Sequence, residues 1–267
     1  MHAQVSMLSM IFMAVSGTIA LMIPLALIIF FRRRKGADLI SAGIGAAVMI
    51  LFAFVLESGV HKLVAQSPLH EPIGENFIAY GIYGGVMAAL FEEVGRYLAM
   101  RFLMKKQWNN PSNALMYGAG HGGIEAIVLL TITMINNLAY SFMINRGMME
   151  GLIQKLPQTA QVQMQEAVQK LIVSPAPVFL LGAVERISAI SLQICLSVFV
   201  WLAVTRREKK YFILAFGLHF LFDTLAVLVN HWMGTVVTEI ILLLAVITVV
   251  LLTARLWKRV KRRMSVL

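Results

Sequence analysis

Long apolar runs, continuous rather than alternating, dominate this chain of 267 residues. A helix that crosses a bilayer needs about 20 largely apolar residues. Seven stretches qualify: 5–31, 38–57, 77–103, 114–140, 177–204, 211–231 and 234–256. Continuous hydrophobicity selects helices, which satisfy their own backbone hydrogen bonds inside lipid. The predicted fold is therefore all-α: a polytopic membrane protein of about seven transmembrane helices in one membrane-embedded domain, 1–267, with its chemistry in 77–231. The first stretch has no basic flank before it and no small-residue cleavage site, so it is expected to stay as a helix. No repeat of fixed period is visible, which gives no support to a transporter built on inverted repeats.

Two connecting segments stand out. Residues 58–76, with Pro68 and Pro72, read as an irregular loop near the outer surface, leaving Glu57, His61 and His70 solvated. Within the outer loop 141–176, apolar positions alternate with Gln and Lys over 146–173. That mixture predicts an amphipathic helix or helical pair on the outer leaflet, broken by Pro157 and ended before Pro175.

Composition supports the membrane assignment: 59% of residues are hydrophobic and only 13% charged, against roughly a quarter charged in soluble domains. The net charge of +10 does not point to nucleic acid, because its placement is topological. Seventeen of the 23 Lys and Arg fall in clusters at 32–35, 101–106, 206–210 and 255–263, after the first, third, fifth and seventh stretches. All four then lie on one side, which the positive-inside rule makes the cytoplasm, with the N-terminus outside and the C-terminus inside. Their expected partner is the anionic headgroup layer of a cell membrane. The single cysteine, Cys195, excludes an intramolecular disulfide and a thiolate metal cluster, and reads as packing.

Against this apolar background, ionisable residues inside the spans are expensive and mark function. Three helices carry them: Glu92, Glu93 and Arg96 on the third; His121 and Glu125 on the fourth; His219 and Asp223 on the sixth. Counted from the basic ends at 1.5 Å per residue, all lie about 12–18 Å deep, in one layer. Glu92/Arg96, His121/Glu125 and His219/Asp223 are each four apart, so each pair projects from one helix face. Arg96 can compensate either glutamate, which leaves one carboxylate free for chemistry. A histidine four residues from a carboxylate suits a base with its orienting group, and equally a pair of metal ligands. Gly81, Gly84 and Gly85, and Gly118, Gly120, Gly122 and Gly123, permit close helix approach around them. Glu185 and Arg186, adjacent on the fifth helix, read as a structural ion pair with the core carboxylates, and Gln193 as an interhelical hydrogen-bonding group.

These motifs resemble the glutamate-dependent intramembrane peptidases that include the type II CAAX prenyl endopeptidases, whose pattern is EExxxR, FxxxH and HxxxN or HxxxD on separate helices. Here Glu92-Glu93-Val-Gly-Arg96 is one residue shorter, Tyr117-Gly-Ala-Gly-His121 has Tyr for Phe, and His219-Phe-Leu-Phe-Asp223 takes the HxxxD form. With Gly-His-Gly-Gly-x-Glu and Glu185-Arg186, the chain is similar to the bacterial YhfC-type family of intramembrane peptidases within that group.

The resemblance implies hydrolysis of a peptide bond in a membrane-associated protein or peptide. Glu92, helped by His121, would activate water. His219, oriented by Asp223, would stabilise the oxyanion, and Arg96 would hold Glu93. No Ser or Cys stands in an obvious triad. Glu92, His121, Glu125, His219 and Asp223 also offer a ligand set for zinc, so the cofactor is expected to be either none or Zn2+. A proton-coupled transporter using the same groups, or a non-catalytic substrate-binding scaffold, remain as alternatives.

Overall fold

A computed structural model describes the backbone of residues 4–264 and the side chains of 4–259. Lys261, Arg262 and Arg263 of the last basic cluster therefore have side chains outside the described residues. Among the described residues there are helices and turns and no strand, so the all-α expectation holds. The helices are α1 Met7–Lys35, α2 Leu39–Ala65, α3 His70–Gly74, α4 Phe77–Leu103, α5 Ser112–Asn145, α6 Met149–Ile153, α7 Gln158–Val173, α8 Val178–Thr205 and α9 Lys209–Met264.

Six of them (α1, α2, α4, α5, α8 and α9) are long and apolar enough to span a membrane. The stretch Lys209–Arg259 of α9 runs for 51 residues, about 76 Å at 1.5 Å per residue, more than twice a hydrocarbon core. Its helical path breaks at Gly234 (φ 76°, ψ 169°), a left-handed conformation open to glycine. The break falls at the first residue of the last stretch read from the sequence, 234–256. Ala215 and Phe222 before it share one core with Val246 and Val249 after it, so the chain folds back on itself there.

The segment 58–76 is not the irregular loop expected. Helix α2 continues to Ala65, and Pro72 sits early in α3, where a missing N–H costs little. Polar residues after Leu56 ended the apolar run without ending the helix, and Glu57, expected to be solvated, is buried. The pair read at 146–173 is present as α6 and α7, separated at Pro157, with Ser174 turning extended before Pro175.

The chain groups into two compact units: Met1–Met22 with Ala126–Arg186, and Ile23–Glu125 with Ile187–Leu267. In the first, the Val5 N–H donates to Asn145 Oδ1 at 2.8 Å, and Thr131 Oγ1 donates to the Gly17 carbonyl at 3.0 Å. In the second, Asp38 caps α2 by accepting from the Ile40 N–H, and Asn76 caps α4 by accepting from the N–H groups of Ile78 and Ala79. Its core joins Met100, Met104 and Tyr117 to Leu196, Phe199 and Trp201, with Cys195 buried among them as expected.

Glycines set how closely these helices approach. A Cβ at Gly120 would lie 2.6 Å from the Ala42 Cα, and one at Gly118 would lie 2.6 Å from the Ile194 Cα. At Gly85 it would lie 2.7 Å from the Phe220 carbonyl oxygen. Each contact is with backbone, which cannot yield as a flexible side chain does. Gly120→Ala is therefore expected to cost about 1–3 kcal/mol. A lowered thermal unfolding midpoint in detergent checks it, with Gly43→Ala, which meets nothing within 4 Å, as the control.

Candidate active site

Three helices of the second unit bring the predicted residues together. Helix α4 supplies Glu92, Glu93 and Arg96, and α5 supplies His121 and Glu125. The first arm of α9 supplies His219 and Asp223. Glu93, Arg96 and His121 have no exposed surface, while Glu92 and His219 are almost wholly buried. Asp223, with 40% of its side chain exposed, and the half-buried Glu125 are the exceptions.

Glu92 Oε2 is the focus. It accepts hydrogen bonds from Gln193 Nε2 at 2.8 Å and from His121 Nε2 at 2.9 Å. Arg96 Nη2 and His219 Nε2 each stand 3.9 Å from the same oxygen. Glu93 Oε1 binds His219 Nδ1 at 2.8 Å and lies 3.5 Å from Arg96 Nη2. This holds the His219 ring so that Nε2 faces Glu92 on one side and Asp223 Oδ2, at 3.4 Å, on the other. Arg96 thus compensates both glutamates, the nearer being Glu93.

The residue that ties the cluster together is Gln193 on α8. Its Nε2 donates to Glu92 and, at 3.0 Å, to Glu125 Oε2. Its Oε1 accepts from Arg96 Nη2, and its backbone carbonyl accepts from Arg96 Nη1 at 3.2 Å. Sequence reasoning gave Gln193 only a generic interhelical role; a lone amide in an apolar helix was the available signal. In the first unit, Arg186 donates directly to Glu185. Neighbouring side chains on a helix point about 100° apart, and the length of arginine closes that gap.

Two groups near the cluster were missed. Glu57 is only 9% exposed. It bonds His61 Nε2 at 3.2 Å, and His61 Nδ1 meets the Tyr83 hydroxyl at 2.7 Å. The spacing of Glu57 and His61 signals one helix face, a cue obscured once α2 was ended at residue 57.

The donor types suit zinc, but the arrangement does not. Ligating histidines usually bind a carboxylate, carbonyl or water through their second nitrogen. His219 does so through Glu93, whereas His121 Nδ1 is buried with no hydrogen-bond partner among the described residues. Among the described residues no three His, Cys, Asp or Glu are grouped to hold one ion.

Comparison with known proteins gives the family. A family model described as YhfC intramembrane metalloprotease matches residues 19–263. A Bacillus subtilis (strain 168) protein described as uncharacterized membrane protein YhfC is 41% identical over 226 residues, 84% of this chain and 86% of the relative. No solved structure matches. The chain is a multi-pass integral membrane protein. It belongs to the YhfC intramembrane metalloprotease family.

Proposed function

We propose that this protein is an intramembrane endopeptidase that hydrolyses a peptide bond of a membrane-associated polypeptide with water activated by Glu92. The observation that carries the reading is the convergence of His121, Gln193, Arg96 and His219 on one buried carboxylate oxygen. A carboxylate so held is an oriented general base, worth about 10²–10⁴ in rate. Glu92 takes a proton from water, and the resulting hydroxide attacks the scissile carbonyl carbon. His219, acting as the imidazolium with Nδ1–H donated to Glu93, donates its Nε2–H to the developing oxyanion. Glu92 then returns the proton to the leaving amine as the C–N bond breaks. Asp223, Glu93, Arg96 and Glu125 hold these groups in place, and Glu185 with Arg186 forms a supporting pair.

The motif likeness to glutamate-dependent intramembrane peptidases supports the same chemistry, and the family description supports peptidase action. The reading includes seven crossings, the α9 arms forming the last two, with the N-terminus outside and the basic clusters on the cytoplasmic face of a bacterial cell membrane. Its partners are the bilayer and a membrane-bound substrate.

The test is a comparison of new protein termini in membranes of cells with and without the chain, followed by cleavage of the hits by purified protein. Failure of every hit to be cleaved overturns the reading. Metal dependence is decided on the same preparation. Cleavage is expected to persist after exhaustive chelation, with zinc well below one ion per chain. Stoichiometric zinc whose removal stops turnover sinks the metal-free mechanism.

A further inference from the structure

A cavity of about 530 Å³ lies beside the cluster, lined among others by His61, His70, Tyr80, Tyr83, Gly84 and Asp223. Asp223 is the half-exposed member of the buried site, and its carboxylate is 3.4 Å from His219, so the cavity abuts the reacting groups. Gly84 precedes Glu92 by eight residues, about 12 Å along α4 and away from the basic end that carries Arg101, Lys105 and Lys106. A Cβ on Gly84 would meet nothing within 4 Å, so this helix face is open to an approaching backbone.

Two of the lining residues, His61 and Tyr83, belong to a hydrogen-bonded chain that runs from Glu57 through His61 to Tyr83. Glu57 ends the π-helical stretch Ile50–Glu57, a wide turn that recurs at functional sites. With Glu57 ionised, His61 Nε2–H donates to it, Nδ1 accepts from the Tyr83 O–H, and the phenolic oxygen keeps a lone pair for an incoming N–H. With Glu57 protonated, the chain can reverse and the phenol donates to an incoming carbonyl. Either way the Tyr83 hydroxyl is the end that can meet a peptide backbone.

Resting on the peptidase reading above, we infer that this cavity is the substrate subsite: an extended segment of the membrane-bound polypeptide enters from the end of α4 opposite the basic clusters, runs past Gly84, and is positioned by Tyr83 through His61 and Glu57. The segment's backbone gains a hydrogen-bonding partner in an otherwise largely apolar channel and delivers its scissile carbonyl towards His219. Tyr83 is a positioning residue, not a catalytic one.

Two measurements test this. First, Gly84→Cys and, as the opposite-face reference, Lys105→Cys are treated with a membrane-impermeant maleimide in intact spheroplasts and in inverted vesicles; the native Cys195 is buried. Gly84→Cys is expected to label in spheroplasts and Lys105→Cys in inverted vesicles. Labelling of both from one face overturns the entry route, whether or not the protein is a peptidase. Second, proteoliposomes are given lipid-tethered, quenched fluorogenic peptides on either face. Cleavage is expected with peptides on the face opposite the basic clusters, and the Gly84 adduct is expected to stop it. Tyr83→Phe is expected to raise KM about three- to tenfold, the loss of one hydrogen bond, while kcat stays within about twofold. A fall in kcat with KM unchanged overturns the positioning role. If wild-type protein cleaves no peptide on either face while Gly84→Cys labels as expected, the peptidase reading fails and takes the substrate subsite with it, leaving only the route.

Discussion

Glu92→Gln is expected to reduce peptide turnover by about a thousandfold or more, with KM nearly unchanged. The amide keeps the length and shape of the side chain, and its oxygen can still accept from His121 and Gln193 where Glu92 Oε2 now does. What it loses is the capacity to take a proton from water and return it to the leaving amine, and both steps of the proposed reaction need that capacity. Glu93 remains beside Arg96, 3.5 Å away, so the buried guanidinium keeps a counter-charge and the fold should survive. A purified, reconstituted variant with a near-native unfolding midpoint and no cleavage is the expected result. More than a tenth of the native turnover rules Glu92 out as the base. A transporter or scaffold using the same pocket predicts a different pattern, since neither requires proton transfer to a leaving group.

Arg96→Met should have the largest effect on stability. The guanidinium is fully buried, lies near two carboxylates, and donates to the side chain and carbonyl of Gln193. Removing it leaves Glu92 and Glu93 facing each other without a cation, and such uncompensated burial costs about 3–5 kcal/mol. The expected outcome is a strongly lowered melting temperature in detergent, together with poor accumulation in the membrane. Arg96→Lys is expected to fall in between: it restores the charge, but one ammonium cannot match the two-pronged contact with Gln193. Wild-type stability in Arg96→Met would mean that the pair of glutamates shares a proton and does not need the arginine.

The fold was legible where lipid imposes a simple rule. Apolar length located most of the long helices to within a few residues, and it divided α9 into two stretches, 211–231 and 234–256, at the place where the helical path breaks. It failed at α2, where the hydrophobic signal stops near residue 57 while the helix continues to Ala65. Hydropathy reports what a segment faces, and only indirectly whether its backbone is helical. The site was legible for a related reason: ionisable groups at a common depth have few partners other than one another, so the sequence itself groups Glu92, Glu93, Arg96, His121 and His219. Gln193 was harder to place because an uncharged amide costs less to bury than a charge and can be satisfied by many partners, including backbone carbonyls. The contacts of Glu93 with His219 and of Glu57 with His61 and Tyr83 depend on helix rotation, which i,i+4 spacing alone does not determine.

The apolar helices look alike by hydropathy, yet 78% of the α8 window is buried, against 22–33% in the other five. Lipid accepts nearly any side chain of the right polarity, whereas a packed protein neighbour accepts only certain shapes. The same conservative exchange, Leu for Ile or Val for Phe, is therefore close to silent on α1 and disruptive on α8. Outside the site residues and the close-approach glycines, tolerance to such exchanges is therefore expected to be wide on the five less buried helices and narrow on α8, where neighbouring side chains dictate shape as well as polarity.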